Sequence, residues 1–490
     1  MKHTMKRLWC FALAALLCAV SCGCRLIYSD EESTVSTVYY DTVTVSDESR
    51  DPGAEEPGSS GTTDGGSHAA ARPGSKTTHT TAATRQEPKL SGKLEIQIFT
   101  NESQTADKGW TEVINAFEKA TGVQVNAIIG SQVNTQMSTR WMQNDPPDMI
   151  WIDGTGIPDA VYRDSGKYMD ITSILENDYV YGTDTRLKSV INSGALMKHD
   201  GKYYHAPIMM ATHGIWYDAA YLKKLGLTVP THYSDFVEVS KKAVAAGTAA
   251  FTFPGQYTSY CFGGLIMPAI GAYGQAYLDA VLRADAAAFT DERMRDILTR
   301  YRDYCANTGF VLSGTTTMDH TTSQVRWLGH KALFITNGLW LADEVRKSTP
   351  VAFDMDYVTS PLVTDAQPQT AVFYTKNMAI AAKAKNPENA KAFLRYLYRE
   401  DAQKLLMSSF GYMSTRTDID YTNATTHMTK AAARALQYVN SSKVNIVYMH
   451  DDWGDVGEIF YNQINALTDG KTTVDKAMQA MDKACKGYHG

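Results

Sequence analysis

The residue types that do most enzyme chemistry are not arranged in any compact catalytic motif in this chain. The sequence contains no H-E-x-x-H, no G-x-S-x-G and no P-loop, and its 12 histidines do not cluster with carboxylates. Nothing points to a glycosidase pair of carboxylates, although the many Asp and Glu leave one open. The 28 Tyr and 8 Trp are more informative, because amphipathic rings are favoured where a soluble ligand has both apolar and hydroxylated faces.

An acidic segment near the C-terminus has the residue types of a calcium site but not the spacing. Asp451, Asp452, Asp455 and Glu458 lie within eight positions, and Glu458 comes too early for the twelve-residue calcium loop. We expect a solvated turn there. The sequence therefore predicts no metal and no cofactor.

The N-terminus has the pattern of an export signal. Lys2, Lys6 and Arg7 precede an apolar run of about thirteen residues, which is too short to span a membrane. The run ends in Ser21-Cys22-Gly23-Cys24, which resembles the lipobox of bacterial lipoproteins. The resemblance implies that residues 1–24 are a lipoprotein signal peptide and that Cys22 or Cys24 carries the lipid; two ordinary cysteines in a cleaved signal are the alternative.

A segment rich in Ser, Thr and Gly follows, from residue 25 to residue 92. It has too few large apolar residues to offset the entropy cost of ordering it. We expect a disordered tether, and about sixty such residues have an r.m.s. span of roughly 45 Å. A lipid anchor followed by a long tether suits the thick cell envelope of a Gram-positive bacterium.

Composition bounds the rest of the chain. A length of 490 residues is typical of two to three domains. With 47 Lys+Arg against 53 Asp+Glu the net charge is −6, so the chain has no basic field for nucleic acid. Cys261, Cys305 and Cys485 match no zinc spacing, which leaves either one disulfide or three buried thiols.

The folded part begins with a strand, a helix and a strand. Residues 94–99 alternate in polarity, and Trp110, Val113, Ile114 and Phe117 then recur at helical spacing. Further strands are predicted at residues 123–129 and 149–152, so the fold class is α/β with a parallel unit. Ligands of such sheets collect beyond the carboxyl ends of the strands, where Asn101 and Asp153 stand.

Several segments in order resemble one family. They are Pro147-Asp148-Met149-Ile150, Asp200-Gly201-Lys202-Tyr203-Tyr204, the stretch from Trp216-Tyr217 through Leu225-Gly226-Leu227 to Phe236, Asn337-Gly338-Leu339-Trp340, Asn386-Pro387-Glu388-Asn389-Ala390 and Gly470-Lys471-Thr472. Together they cover nearly all of residues 93–490. The chain resembles the extracellular solute-binding proteins of the maltose-binding-protein type, which are the receptors of sugar-importing ABC transporters.

The resemblance implies a two-lobe periplasmic-binding-protein (Venus-flytrap) fold of the α/β class, with the ligand cleft between lobes joined by a multi-strand hinge. The chain would cross between lobes near Met209 to His213, near Ser360 to Val363 and near Tyr412. The implied division is residues 93–208 and 361–411 for the N-lobe, and residues 209–360 and 412–490 for the C-lobe.

The resemblance also implies a set of ligand-binding residues. Trp340 falls where the family has a sugar-stacking tryptophan, and Tyr257 matches a family tyrosine. The full set of candidates is Trp340, Tyr257, Tyr260, Trp453, Asp153, Asn101, Tyr412 and Arg416. His213 and His205 are interpreted as loop or core histidines, and Trp151 as buried in the sheet.

Two departures from the family bear on the ligand. Gly255 stands where the maltose-binding protein has an acidic residue, and Met209 to His213 lacks the acidic residue expected near the hinge. These differences argue against maltodextrin as the ligand. The residues that bind the hydroxyl groups of a sugar must therefore differ from those of the maltose-binding protein.

The sequence thus predicts a monomeric, lipid-anchored receptor that captures a mono- or oligosaccharide outside the cell and delivers it to ABC permease subunits without acting as an enzyme. Three alternatives stay open. The first is a receptor for a polyamine, phosphonate or peptide. The second is a surface glycan hydrolase or lyase, and the third is a scaffold with an inactive cleft.

Overall fold

The computed structural model describes residues 85–100, 104–154, 156–419, 428–450 and 454–488. The predicted signal peptide, Cys22, Cys24 and most of the predicted tether lie outside these residues, as do Asn101 and Trp453. Within the described ranges, no helix is both long and apolar enough to cross a bilayer.

Ten strands form one continuous sheet. They are β1 (Lys93–Phe99), β2 (Gln124–Gly130), β3 (Met149–Ile152), β4 (Ala206–Asp218), β5 (Ala249–Thr252), β6 (Ala332–Gly338), β7 (Met355–Val358), β8 (Thr370–Ile380), β9 (Met413–Ser414) and β10 (Asn445–Tyr448). The strand order is β2-β1-β3-β8-β4-β6-β5, with β10 paired to β8 and with β7 and β9 paired to β4. Strands β1, β2 and β3 are parallel, as the sequence predicts.

Two groups of helices cover the sheet. One group comprises α1 (Gln104–Thr121), α2 (Val133–Met142), α3 (Asp159–Asp164), α4 (Thr172–Asn177), α5 (Leu187–Val190), α15 (Pro387–Leu397) and α16 (Glu400–Phe410). The other comprises α6 (Ala219–Lys224), α7 (Tyr233–Ala245), α8 (Ser259–Cys261), α9 (Met267–Gly271), α10 (Gln275–Leu282), α11 (Ala286–Thr290), α12 (Glu292–Ala306), α13 (His320–Leu328), α14 (Leu341–Glu344), α17 (Lys430–Val439), α18 (Gly454–Thr468) and α19 (Val474–Tyr488). A π-helical turn, Phe262–Ile266, joins α8 to α9.

Each group of helices packs around its own hydrophobic core. In the first lobe, β1, β3, α1, α15 and α16 meet around Trp110, Phe117 and Trp151, all fully buried. In the second lobe, α7 and α9 to α12 pack on one face of the sheet with α18 and α19. Helices α13, α14 and α17 pack on its other face. The α/β class is confirmed, and so is the burial of Trp151 in the sheet.

Strand β4 belongs to both lobes. Residues Ala206 to Thr212 pair with β8, and residues His213 to Tyr217 pair with β6. Met209 to His213, where the sequence predicts a crossing, are residues of this strand. Strand β8 runs antiparallel to β4. The first residues of β8 pair with β10, and its last residues pair with β3.

The second crossing lies later than the sequence predicts. Leu362 and Val363, expected at the hinge, are fully buried in the second core. Because an apolar pair is stabilised by burial, this segment stays with the second lobe, and the chain returns along β8. The third crossing, predicted near Tyr412, also lies later in the chain. The hydroxyl of Thr415 donates a 2.5 Å hydrogen bond to the carbonyl of Pro207, which belongs to the first lobe.

The end of the predicted tether is packed on the first lobe. Glu87 forms an ion pair with Arg395 at 2.6 Å, and their side chains are only 9% and 14% exposed. The guanidinium of Arg85 lies 4.2 Å from the centre of the Tyr179 ring. Residues 85–92 therefore do not belong to a free tether, because a paired charge and a ring contact offset their ordering cost.

Cys261, Cys305 and Cys485 are free thiols in the structure. The sulfur of Cys261 lies 3.3 Å from the hydroxyl of Tyr301, and burial raises the pKa of the Cys305 thiol to about 12. These thiols resist ionisation, as expected of structural rather than reactive cysteines.

We predict that Gly214→Ala, within the part of β4 that crosses between lobes, lowers the free energy of unfolding by about 1–3 kcal/mol. A Cβ at this position would lie 2.2 Å from the Tyr357 hydroxyl and 2.7 Å from the carbonyl of Val358. Gly130→Ala is the control, because no heavy atom lies within 4 Å of its Cβ position. Urea unfolding measures both, and equal effects would contradict the tight packing of β4.

Candidate functional site

Aromatic rings converge where β4 and β8 pass between the lobes. Trp340 follows β6 directly, and three rings meet it edge-on. The centroid distances are 5.1 Å to His213, 6.1 Å to Tyr260 and 5.6 Å to Tyr412, with interplanar angles of 76–84°. Together with Tyr374, which stacks on His213 at 5.5 Å, these residues form what we call the ring cluster.

The backbone at the end of β6 holds Trp340 in place. A Cβ on Gly338 would lie 2.0 Å from the indole of Trp340, so only glycine lets the ring fold back over the strand. The carbonyl of Gly338 in turn accepts a hydrogen bond of 2.9 Å from the buried indole of Trp216. The orientation of Trp340 is therefore fixed by the strand and does not depend on a flexible loop.

Four residues of the ring cluster keep accessible surface although they are packed among other rings. Trp340, Tyr260, His213 and Tyr374 are each half-buried, and Tyr412 is 9% exposed. Rings in a closed core lose all contact with solvent, whereas rings in the wall of a cleft do not. The ring cluster is therefore partly open to solvent at the place where β4 changes its pairing partner from β8 to β6.

His213 is a member of the cluster that sequence reasoning missed. It is the one half-buried residue in β4, whose other twelve residues are buried. Its Nδ1 side packs against the π-helical turn, where a Cβ on Gly263 would come within 2.9 Å. The signal in the sequence is a histidine within a largely apolar strand. The sequence analysis interprets it as an ordinary loop or core histidine and does not predict these neighbours.

The imidazole of His213 is uncharged at neutral pH. Burial lowers its pKa to about 3, and the positive charge of Lys376 and the neighbouring His320 act in the same direction. Protonation would place an uncompensated charge among rings, which is costly in a poorly solvated site. His213 therefore contributes a neutral polar edge to the ring cluster.

A second set of rings extends the cluster towards solvent. His320, at the start of α13, lies 4.4 Å from Tyr260 and 4.7 Å from Tyr257, measured between ring centroids. Tyr257 is 48% exposed. Burial also lowers the pKa of His320. The candidates Tyr257 and Tyr260 are thus connected through a histidine that the sequence analysis did not single out.

An ion pair stands beside the rings. Asp153, directly after β3, pairs with Lys376 in the middle of β8, and their side chains are 15% and 17% exposed. The backbone carbonyl of Asp153 accepts a 2.9 Å hydrogen bond from the side-chain amide of Asn134. This bond fixes the end of β3. After burial, the charge of Asp153 is among the causes that raise the pKa of Tyr260 and Tyr412. The carboxylate is therefore close enough to influence both rings.

Helix α14 brings two further carboxylates to the same place. Asp343 pairs with Arg346 at 2.5 Å, whereas Glu344 accepts a 3.0 Å hydrogen bond from the amide of Gln324. Burial raises the pKa of both carboxyl groups. The sequence analysis named neither residue.

Arg416 lies outside the ring cluster. Its guanidinium donates two hydrogen bonds to Asp418, at 2.7 and 2.8 Å, and a third to the carbonyl of Tyr398 at 2.6 Å. These partners belong to the first lobe and leave the side chain 8% exposed. Arg416 is therefore held by first-lobe partners away from the ring cluster, beside the concave surface that includes Arg399 and Lys404, and its ligand contact stays a prediction.

Two other concave surfaces lie away from the rings. One, of about 310 Å³, includes Cys305, Thr316 and Asp469, and another, of about 430 Å³, includes Arg399 and Lys404. The charged groups of the second are paired among themselves, as in the ion pair of Lys404 with Glu400. In the described part of the chain, no three His, Cys, Asp or Glu side chains are grouped to hold a metal.

Comparison with known proteins agrees with this architecture. A family model described as bacterial extracellular solute-binding protein matches residues 101–404. One relative is the diacetylchitobiose binding protein NgcE of Streptomyces coelicolor, 22% identical over 304 residues, which make up 59% of this chain and 62% of that protein. Another is the multiple sugar-binding protein of Streptococcus mutans, 22% identical over 316 residues, or 62% of this chain and 71% of that protein. The match thus spans less than two thirds of the first relative.

Solved structures extend the likeness over both lobes. The solute-binding protein RafE in complex with raffinose has a TM-score of 0.62 at 18% identity and covers 81% of this chain and 100% of its own. The apo form of RafE from Streptococcus pneumoniae has a TM-score of 0.65 at 19% identity, with 82% and 100% coverage. These likenesses show the two-lobe α/β fold.

We predict that His213 makes stability depend on pH. Its pKa is lower in the folded chain than the ordinary value of 6.5, so below that pH the unfolded chain binds a proton that the folded chain does not. The free energy of unfolding should then fall with decreasing pH by up to about 1.4 kcal/mol per unit for this residue.

The variant His213→Gln cannot be protonated and should flatten the pH dependence between pH 7 and pH 5. Urea unfolding at several pH values measures the difference between the two proteins. A difference that stays constant across this range would contradict a neutral, buried His213.

Proposed function

Because the chain belongs to the family of bacterial extracellular solute-binding proteins, we propose that it captures a carbohydrate, a mono- or oligosaccharide, in the recess lined by the ring cluster. The observation that carries the proposal is Trp340, half-buried among perpendicular rings in a cluster whose Tyr374 ring lies 5.4 Å from the ammonium of Lys376, the partner of Asp153. The named ligands of its relatives, diacetylchitobiose and raffinose, support the same class of ligand.

The arrangement suits the two surfaces of a sugar. A pyranose has flat C–H faces that pack on aromatic rings and a rim of hydroxyl groups that need donors and acceptors. Trp340 and Tyr260 supply ring surface, while Asp153, Lys376 and Glu344 supply polar groups. Because the ion pair is held by the fold before a ligand arrives, little ordering cost remains at binding.

Closure of the lobes would complete the site. Strands β4 and β8 pass between both lobes, so small changes in their backbone angles move one lobe against the other. A closed recess excludes water and strengthens each hydrogen bond to the sugar. The closed form then delivers the sugar to the permease subunits of an ABC importer.

The proposal includes attachment to the outer face of the cell membrane through Cys22 or Cys24 and a tether long enough to cross part of a Gram-positive wall. It involves no bond made or broken in the sugar. A glycan hydrolase or lyase would instead release products on incubation with an oligosaccharide, and a receptor for amines would bind a polyamine in preference to every neutral sugar.

We predict that one of N,N′-diacetylchitobiose, raffinose, galactose or xylotriose raises the melting temperature of the purified protein. A ligand at about 100 times its Kd stabilises the folded state by about 2.7 kcal/mol. Trp340→Ala should weaken that binding by about 2 kcal/mol, or roughly 30-fold, because the ring surface is lost.

Tyr488→Ala is the control, since it removes a 52% exposed ring from the last helix. Isothermal titration measures the Kd of each variant, and urea unfolding checks that each is folded. Equal affinity of the Trp340→Ala variant and the parent, or the absence of binding to any of these sugars, would contradict the proposed function.

A further inference from the structure

Glu344 lies one helical turn after Trp340. It ends the short helix α14, and its backbone N–H donates a 3.0 Å hydrogen bond to the carbonyl of Trp340. Its carboxylate contacts Gln324 of α13 at 3.0 Å, one turn after His320, whose ring lies 4.4 Å from that of Tyr260. The exposed side chain of Glu344 therefore stands beside the ring cluster.

The negative charge of Glu344 lacks a cationic partner in the part of the chain that the structure describes. Its carboxylate accepts a hydrogen bond from the neutral amide of Gln324 at 3.0 Å. The neighbouring acids differ, because Asp343 pairs with Arg346 and Asp153 pairs with Lys376. Of these three carboxylates, Glu344 alone presents an unbalanced charge.

The rings of the site are within range of this charge. Glu344 is among the groups that raise the pKa of Tyr260 and Tyr412, in each case after the effect of burial. Tyr260 lies in α8 of the second lobe, and Tyr412 follows α16 of the first lobe. The charge of Glu344 therefore acts on rings from both lobes.

No described group at the ring cluster offsets the negative charge of Glu344. The histidines His213 and His320 are uncharged at neutral pH because burial lowers their pKa values. The charge of Lys376 is balanced by Asp153, which leaves the described part of the site with one net negative charge. An entering anion would lose hydration and find no unpaired cation.

We propose that Glu344 sets the charge preference of the binding site, so that the recess accepts neutral sugars and sugars with an ammonium group and rejects glycans that carry a carboxylate. This inference rests on the proposed function and names the class of carbohydrate within it. The carboxylate of Glu344 and a carboxylate on the ligand would repel each other in a partly solvated cleft. This repulsion is strong enough to change the affinity by about tenfold.

The test compares neutral sugars with their own carboxylates. N,N′-diacetylchitobiose, raffinose and galactose each carry a primary hydroxyl group that oxidation converts to a carboxylate without changing the ring. Isothermal titration of the purified protein gives the Kd of each neutral sugar and of its oxidised form. We expect at least one neutral sugar to bind and its oxidised form to bind about tenfold or more weakly, with the ratio shrinking at high salt.

The variant Glu344→Gln removes the charge and keeps the shape of the side chain. It should bring the ratio of the two Kd values close to one. Glu388→Gln is the matched control, because it removes the same charge from a 75% exposed side chain on α15 that pairs with Lys391. This control should leave the ratio unchanged.

The outcomes separate the two claims. If none of the neutral or oxidised sugars binds, the proposed function fails and the charge preference fails with it. If neutral and oxidised sugars bind the parent protein equally, only the charge preference is overturned. The charge preference is also overturned if the Glu344→Gln variant keeps the ratio of Kd values of the parent protein. It is overturned too if Glu388→Gln changes this ratio as much as Glu344→Gln does.

Discussion

The constraint on which the structure depends is that one strand serves both lobes. Strand β4 pairs with β8 in its first half and with β6 in its second, and twelve of its thirteen residues are buried. A strand shared by two cores cannot shift in register without exposing apolar side chains of both. The position where the pairing partner changes is therefore fixed, and the half-buried residue there is His213. The ring cluster assembles around this residue, since Tyr374 comes from β8, Trp340 from the end of β6 and Tyr260 from the helical segment that packs on β4.

This geometry holds the rings and charged groups of the proposed site in place before any ligand arrives. Perpendicular ring contacts hold Trp340 from three sides, and the ion pair between Asp153 and Lys376 places charged groups beside the rings without leaving either charge unpaired. Such preorganisation matters in water, where a sugar must exchange its hydration shell for protein contacts at small net gain. Glu344 differs from Asp153 and Asp343 because, among the described residues, its carboxylate accepts from a neutral amide and pairs with no cation. The proposed site thus combines ring surface, polar groups and a bias in charge.

Much of the fold could be predicted from the sequence because local patterns determine it. The alternating residues of β1, the helical spacing of Trp110, Val113 and Phe117, and the turn before Trp340 all act over a few positions. Trp340, Tyr260, Asp153 and Tyr412, which the sequence predicts as ligand contacts, lie at or near strand or helix ends. His213, His320, Lys376 and Glu344 were not predicted, because their meeting depends on contacts between different elements of the fold, such as the pairing of Asp153 with Lys376, 223 positions apart. The register of β4 against β6 and β8 has no local signature. Arg416 shows the converse limit, since its hydrogen bonds to Asp418 and to the carbonyl of Tyr398 could not be read from its position near a predicted crossing.

The central claim is that the ring cluster is where the ligand binds, and hydrogen exchange with and without sugar tests it most directly. Amide exchange of the purified protein would be followed by mass spectrometry in the presence of a saturating sugar that binds. The account predicts added protection in three segments, namely residues 257–261, the end of β6 through α14, and the middle of β8, because these surround the recess. Protection confined to the surfaces around Cys305 or Arg399, with no change at Trp340 and its neighbours, would contradict it.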